Sequence, residues 1–120
     1  MNDTRPITIF CDIDGTLAEH HPPNISAHPD NSLKVLTNTI NKLTEWDSKG
    51  YNIILTTGRK EGMRGVTEKQ LAEAGIFYDQ LILGIGGGIR YLINDRKSDG
   101  RQSAFAICTE RDEGIGAIDI

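Results

Sequence analysis

Short apolar runs alternate along the chain with amphipathic runs, and this alternation predicts the order of strands and helices. The run Ile7–Ile13 is rich in β-branched residues and predicts a first strand. Tyr51–Leu55 predicts a second strand and Leu81–Leu83 a third. Two later apolar runs, Arg90–Ile93 and Ala104–Cys108, predict a fourth and a fifth strand.

Two amphipathic stretches separate the first three predicted strands. The first is expected to begin at Asn31 or Ser32, either of which can cap a helix, and to end at Gly50. Its apolar residues recur at helical spacing: Leu33, Leu36, Ile40, Leu43 and Trp46. The second predicted helix runs from about Val66 to Ala74 and stops at Gly75. Strands alternating with helices are typical of a parallel sheet with helices on its faces.

Polar residues follow the predicted strands where each apolar run ends. In a parallel sheet the carboxyl ends of the strands share one edge, and ligands bind in the crevice beside it. Side chains that are distant in sequence are therefore expected to meet there: Asp12, Asp14, Thr56, Thr57, Asn94 and Asp95.

Length, composition and charge limit the classes of function. The 120 residues are 38% hydrophobic and 25% charged, so we expect a single globular domain over residues 1–120. A formal net charge of −4 argues against a surface that coats nucleic acid, and no apolar run is long enough to cross a membrane. Cys11 and Cys108 each lie in an apolar run, which predicts two buried thiols in a reducing cytoplasm.

The segment Asp12-Ile13-Asp14-Gly15-Thr16 is the strongest chemical signal in the chain. In an extended segment, two acids spaced by one residue point to the same side, where their carboxylates repel each other. A divalent cation relieves that repulsion, and hard oxygen ligands favour Mg²⁺. Asp95, at the end of a later predicted strand, can supply a further oxygen ligand.

Together with Thr57-Gly58-Arg59 after the second strand and the acid that ends a later strand, this segment resembles the haloacid dehalogenase superfamily of phosphohydrolases. The resemblance covers Ile7 to about Asp99 and implies a three-layer, Rossmann-like α/β fold with a central, mostly parallel sheet. The connections after the first two strands are too short for the cap domain that many relatives insert. We therefore expect a capless member, whose open cleft favours a large or tethered substrate or a neighbouring subunit as the lid.

The resemblance assigns roles to individual residues. Asp12 would attack phosphorus and become an aspartyl phosphate, while Asp14 would protonate the leaving oxygen and then help to activate water. Thr57 would hydrogen-bond the phosphoryl oxygens. Asp95 would hold Mg²⁺ together with the Asp12 carboxylate and the backbone carbonyl of Asp14. Contacts to the substrate are expected from the two motif loops and the glycine-rich segment: Gly15, Thr16, Gly58, Arg59 and Arg90.

The chain departs from the family pattern in two places. No lysine occupies the stretch Leu83–Arg90, where relatives usually carry one, and Asn94 replaces the first acid of a usual pair. The positive charge beside the phosphoryl group must then come from Lys97, Lys60 or Arg90, or be missing. We expect Lys97 to supply it, because this lysine follows Asp95 by two residues.

Three functions remain open at this point. The first is Mg²⁺-dependent hydrolysis of a phosphomonoester, on a phosphorylated small molecule such as a sugar phosphate or on a carrier-linked sugar. The second is a catalytically silent binding or regulatory protein, since the usual lysine is absent. The third is phosphotransferase or phosphomutase chemistry, in which an alcohol accepts the phosphoryl group. The histidine-containing loop, with His20, His21 and His28, is expected to be solvated, with a role in substrate contact left open.

Overall fold

A three-stranded parallel sheet forms the centre of the fold. The computed structural model describes residues 3–26 and 28–120. Strand β1 is Thr8–Asp12, β2 is Asn52–Thr56 and β3 is Gln80–Ile82. They lie in the order β1-β2-β3, with both pairings parallel. The first three predicted strands are confirmed, each shifted or trimmed by one residue at its ends.

Three helices accompany the sheet: α1 (Pro23–Ser26), α2 (Thr39–Ser48) and α3 (Arg64–Ala74). A single 3₁₀ turn over Glu61–Met63 leads into α3. Gly75 ends α3 in a left-handed conformation, with φ 75°, as predicted from its position. The prolines of the histidine-containing loop, Pro22, Pro23 and Pro29, predict no regular structure there, and the one turn of α1 shows that this prediction is wrong for residues 23–26.

Helix α2 begins later than predicted because the preceding segment is extended. Val35 forms an antiparallel bridge with Ala18, and the N–H of Glu19 donates to the carbonyl of Lys34 at 2.8 Å. The helix starts only after Asn38, whose φ of 68° is left-handed. Apolar residues in this segment are compatible with a helix or with an extended conformation. Pairing with the segment that follows β1 favours the extended one.

The hydrophobic core lies between the sheet, α2 and α3. Leu43 and Trp46 of α2 and Leu71 of α3 are almost completely buried, and Trp46 is the core residue that its spacing predicts. Ile115, in the tail where the sequence shows little pattern, is also buried in this core. The other core members belong to the strands and the segments that follow them: Ile9, Cys11, Ile13, Leu17, Ile53, Leu55, Ile76, Leu81 and Leu83.

The fourth and fifth predicted strands, Arg90–Ile93 and Ala104–Cys108, are not formed. Residues 89–108, which we call the arm, are mostly exposed and contain no regular strand. The arm turns back on itself between Lys97 and Arg101, where the N–H of Lys97 donates to the carbonyl of Arg101 at 2.9 Å. A strand needs hydrogen-bonded neighbours, and over residues 3–26 and 28–120 no strand pairs with the arm.

Both cysteines are free thiols, and their environments differ. Cys11 is buried on β1, as predicted, and burial raises the pKa of its thiol to about 12. Cys108 lies in the arm and is exposed, so the expectation that both thiols are buried is wrong for Cys108.

Two further features concern the architecture as a whole. In the described residues, the connections after β1 and β2 contain only short helices and turns, and no cap domain is present. No helix over residues 3–26 and 28–120 combines the length and the apolarity that a membrane span requires.

Candidate active site

The register of the sheet brings the two motif segments together. Asp12 lies opposite Thr56 in the β1–β2 pairing, and Thr56 lies opposite Ile82 in the β2–β3 pairing. The residues that follow these positions therefore leave the sheet at one edge. Asp14 and Thr57, which are separated by more than forty positions in the sequence, follow strands that end at this edge.

Asp12 is a half-buried carboxylate at the end of β1. Burial raises its pKa, and a hydrogen bond from the backbone of Ile13 opposes that rise. The positive charges of Arg90 and His20 also lower the pKa of Asp12, whereas the charge of Asp14 raises it. Asp12 is thus a desolvated acid with the Arg90 guanidinium in its surroundings.

Asp14 forms a bidentate ion pair with Arg59. Nε and Nη2 of Arg59 each lie 2.9 Å from a different carboxylate oxygen of Asp14. The Arg59 side chain is 5% exposed and that of Asp14 is 18% exposed, so the pair is shielded from water. This planar two-point contact fixes the orientation of the Asp14 carboxylate.

Arg59 is itself held by helix α3. Its Nη1 donates to the hydroxyl of Thr67 at 3.1 Å and to the amide oxygen of Gln70 at 2.6 Å. Sequence reasoning placed Arg59 among the substrate contacts. In this structure the Arg59 guanidinium is buried, and its nitrogens donate to Asp14, Thr67 and Gln70. Arg59 therefore holds the Asp14 carboxylate in one orientation.

Gln70 extends this network to the histidine-containing loop. Its amide nitrogen donates to the carbonyls of Ser26 and Asn31 at 2.8 and 2.9 Å. The side chain is 2% exposed, and its oxygen and nitrogen are both used. A chain of polar contacts therefore runs from the loop through Gln70 and Arg59 to Asp14.

The turn after Asp14 is closed by its own backbone and by the C-terminal segment. Gly15 has a φ of 89°, which favours glycine. The N–H groups of Gly15 and Thr16 bond to the carbonyls of Ala18 and Ile13, at 2.7 and 3.2 Å. These two N–H groups are therefore occupied within the turn, and the predicted anion contacts of Gly15 and Thr16 do not come from them.

Asp112 secures this turn from the far end of the chain. Its N–H donates to the carbonyl of Gly15 at 2.8 Å, and its Oδ1 accepts the N–H of His20 at 2.8 Å. The φ of Asp112 is 64°, an uncommon conformation for a residue with a side chain. Sequence reasoning missed Asp112, because the surrounding tail has no periodic pattern.

The segment after β2 lies against the glycine cluster. Thr57 is buried, and its hydroxyl oxygen accepts the N–H of Arg59 at 3.1 Å; among the described residues its hydroxyl hydrogen has no acceptor. A Cβ added to Gly58 would lie 2.8 Å from the carbonyl oxygen of Gly86. The glycines thus allow two backbone segments to approach closely.

Arg90 supplies the positive charge of the arm that acts on Asp12. Its Nη1 and Nη2 donate to the carbonyls of Gly88 and Gly86 at 2.8 and 2.9 Å, so the guanidinium folds back over the glycine cluster. Lys97, which we expected in this role, has its ammonium 3.1 Å from a carboxylate oxygen of Asp3. The structure therefore places Arg90, and not Lys97, in the surroundings of Asp12.

Asp95 does not join the other acids. It lies exposed in the arm, where its carbonyl accepts the hydroxyl of Ser103. In the described part of the chain, no three His, Cys, Asp or Glu side chains are grouped so that they could hold a metal ion.

Even so, the donors at the end of β1 fit Mg²⁺, which keeps several waters and takes one or two carboxylates in most protein sites. Asp12 is a desolvated carboxylate that, among the described residues, forms no ion pair of its own, unlike Asp14.

A cavity of about 270 Å³ opens beside Asp14. It is bounded by the histidine-containing loop and by the extended segment before α2, and its lining includes Asp14, Glu19, His21, Ile25 and Lys34. His21 lies 3.5 Å from Glu19, and His28 lies 3.9 Å from Asp30, so these two histidines face separate acids.

Comparisons with known proteins place this geometry in context. A chain in the structure of the Pnkp1/Rnl/Hen1 RNA repair complex is 32% identical over 69% of this chain and 27% of that chain, with a TM-score of 0.55. The chain thus spans less than a third of that relative. A crystal structure from Vibrio cholerae (MCSG target APC26283) is 18% identical, with a TM-score of 0.57, over 95% of this chain and 90% of that chain.

The D,D-heptose 1.7-bisphosphate phosphatase from B. bronchiseptica, crystallised with magnesium and phosphate, is 15% identical over 68% of this chain and 51% of that chain, with a TM-score of 0.50. No curated protein matches the chain. Residues 9–77, more than half of the sequence, match the model of the haloacid dehalogenase-like hydrolases. These residues contain both motif segments and the α3 network that holds Asp14, and the chain belongs to the haloacid dehalogenase-like hydrolases.

Proposed function

We propose that this chain is a Mg²⁺-dependent phosphomonoester hydrolase that acts through an aspartyl phosphate on Asp12. Family membership supports phosphohydrolase activity at the general level. One observation supports the specific mechanism: a desolvated Asp12, which forms no ion pair among the described residues, lies two residues before an Asp14 whose orientation is fixed by Arg59. Two acids in such different environments are suited to two different roles.

In the first step, an Asp12 carboxylate oxygen forms a bond to phosphorus while the bond from phosphorus to the ester oxygen breaks. Asp14 delivers a proton to that departing oxygen, which leaves as an alcohol. Both Asp14 oxygens accept hydrogen bonds from Arg59 in this structure, so one of these bonds must loosen when Asp14 carries the proton. The cavity beside Asp14 offers space for the leaving group.

In the second step, water attacks the phosphorus of the aspartyl phosphate and releases inorganic phosphate and the free Asp12 carboxylate. Asp14 takes a proton from that water, which returns it to the protonated form that the first step requires. Dividing the displacement into two in this way replaces one difficult step by two easier ones. Arg59 keeps Asp14 on one side of Asp12 through both steps.

The charge of the phosphoryl oxygens needs partners of opposite charge or with free hydrogens. Arg90 contributes a guanidinium whose charge already acts on Asp12, and Thr57 contributes a hydroxyl hydrogen that has no acceptor among the described residues. Mg²⁺, held by the Asp12 carboxylate and the Asp14 carbonyl, would reduce the repulsion between Asp12 and the phosphoryl group. We propose Asp95 as a third ligand of the metal. In this structure Asp95 is exposed in the arm and does not lie with Asp12 and Asp14.

The substrate is proposed to be a phosphomonoester on a sugar or on a carrier-linked sugar. A phosphorylated RNA end is a second candidate, and the 32% identity to a chain of an RNA repair complex favours it. We further propose that residues 1–120 form one core domain and that the protein works in the cytoplasm, where its two free thiols are compatible with reducing conditions.

The experiment that tests this proposal compares the wild-type protein with Asp12→Asn on an aryl phosphate, with Mg²⁺ and with EDTA. We expect metal-dependent phosphate release that falls about a thousandfold or more in the variant, as for loss of a nucleophile. Asp47→Asn, at an exposed position of α2, is the matched control and should retain activity. Full activity in Asp12→Asn would exclude the covalent mechanism.

Two further measurements separate the alternatives. Mg²⁺ binding by calorimetry without turnover of any sugar phosphate or phosphorylated RNA end would indicate a binding protein. Transfer of the phosphoryl group to an added alcohol in preference to water would indicate a phosphotransferase or phosphomutase.

A further inference from the structure

The arm exposes an unusual concentration of large apolar side chains. Ile89, Tyr91 and Ile93 are 91%, 89% and 92% exposed, although their sequence predicts a strand. The returning half of the arm adds Phe105 and Ile107, at 73% and 57%. Single apolar residues on a protein surface need no explanation, but a continuous group of this kind indicates a contact surface.

The exposed area is in the range that a stable dimer requires. With Leu92, at 59%, the arm carries six such side chains. At roughly 100 Å² each, they present about 600 Å² of apolar surface, the upper limit for an ordinary monomer. Two arms covered in one symmetric complex would remove about 1,200 Å² of apolar surface, before the receiving surfaces are counted, which meets the lower limit for a specific interface.

Among the described residues, backbone-to-backbone hydrogen bonds of the arm occur only at its turn. The N–H of Lys97 donates to the carbonyl of Arg101 at 2.9 Å, and the N–H of Gly100 donates to the carbonyl of Lys97 at 2.8 Å. Strand β1 also has an unpaired edge, since it is a terminal strand of the sheet and pairs only with β2 among the described strands. Its Phe10 is 55% exposed. An open strand edge of this kind is a template for pairing with another segment.

The charges favour contact between an arm and the body of another copy. Residues 89–108 contain four basic and two acidic side chains, a net charge of +2. The whole chain carries −4, so the remainder carries −6. An arm placed on a second arm would bring like charges together, whereas an arm placed on the body of another copy brings opposite charges together.

We propose that the arm binds a second copy of this chain, with the arm of each copy lying along the β1 edge of the other. The exchange is reciprocal, so it closes into a symmetric dimer and leaves no arm free. It gives the apolar pattern of the arm the neighbouring strand that a single copy lacks. The inference is argued from exposed apolar area and charge and not from the phosphohydrolase activity, although the arm also carries Arg90 and Asp95.

The experiment measures molar mass by light scattering and sedimentation, from micromolar to hundreds of micromolar protein. The wild-type chain, whose monomer mass is 13.2 kDa, should have twice that mass. The double variant Ile89→Asp/Ile93→Asp and the variant Phe10→Asp should both be monomeric. Ile25→Asp, at an exposed apolar residue of α1 outside both surfaces, is the matched control and should remain dimeric. Trp46 fluorescence confirms that each variant is folded.

Each other outcome contradicts the proposal in a defined way. A wild-type monomer at every concentration, or a dimer that survives the double variant, would overturn it. A dimer lost in the arm variant but kept in Phe10→Asp would overturn the assignment of β1 as the receiving edge. A wild-type monomer that binds single-stranded RNA, with binding lost in the arm variant, would identify the arm as a nucleic-acid surface instead.

Discussion

Replacing Arg59 with Met tests the network that positions Asp14. The substitution keeps much of the length of the side chain but removes its charge and all its donors. Four hydrogen bonds are lost: two to Asp14, one to Thr67 and one to Gln70. The Asp14 side chain, which is 18% exposed in the wild-type structure, then lacks its counter-charge.

The expected loss of stability follows from this burial. Removing one partner of a buried ion pair costs about 3–5 kcal/mol, because the remaining charge is uncompensated. The free energy of unfolding of a whole domain is about 5–15 kcal/mol, so Arg59→Met removes a large part of it. Asp14→Asn should cost less than Arg59→Met, since its amide oxygen can still accept one bond from Arg59.

The assay is urea unfolding followed by the fluorescence of Trp46, the only tryptophan, which is 1% exposed in the core. A double-mutant cycle with Asp14→Asn should give a coupling energy above about 1 kcal/mol, as contacting residues do. Arg64→Met is the matched control: Arg64 pairs with Glu61 on the surface, where an ion pair contributes about 1 kcal/mol or less. Equal losses for Arg59→Met and Arg64→Met, or a coupling energy near zero, would refute the structural role of the Asp14 pair.

Three further predictions concern the same site. Gly58→Ala should lose about 1–3 kcal/mol of stability because its Cβ would lie 2.8 Å from the Gly86 carbonyl oxygen, whereas Gly65→Ala, with open space in α3, should be neutral or slightly stabilising; equal urea midpoints would contradict the close approach. Gln70→Leu should speed proteolysis of the histidine-containing loop by removing the donor to the Ser26 and Asn31 carbonyls; an unchanged digestion rate would argue against this anchor. In EDTA, Asp12→Asn should raise the urea midpoint at neutral pH. Burial raises the pKa of Asp12, so the folded wild type loses stability as pH rises from the unfolded pKa, about 3.9, through the higher folded value. The advantage of the variant should vanish below that window, and a constant difference at all pH values would contradict the reasoning.

The first three strands, and the position of Asp12, Asp14 and Thr57 at one edge of the sheet, could be predicted from the sequence because they depend on local composition and on one rule of topology. Runs of β-branched residues predicted these strands. The common edge of a parallel sheet predicted that the side chains following them would lie close together. The role of Arg59 depends on Thr67 and Gln70, which lie on one face of α3 three residues apart. That spacing on a predicted helix was the available signal, but the helix alone does not say which charged group it faces.

The start of α2 and the state of the arm could not be predicted for a different reason. The conformation of each segment depends on which other segment it pairs with. A pattern of apolar residues does not indicate which segment that is. Residues 33–36 find a partner in the chain that leaves β1, so they are extended. The apolar runs of the arm have no pairing strand among the described residues, so they form no strand. Asp112 reaches the active-site turn through a tail with no periodicity, and only the folded chain shows this contact.

The most direct test of the catalytic role of Asp12 is a crystal structure of the protein grown with Mg²⁺ and beryllium fluoride, which imitates a phosphoryl group bound to a carboxylate. We expect beryllium bonded to a carboxylate oxygen of Asp12, Mg²⁺ on its other oxygen, and Arg90 or the Thr57 hydroxyl in contact with fluoride. A fully occupied crystal in which Asp12 binds neither beryllium nor Mg²⁺ would contradict the aspartyl phosphate mechanism.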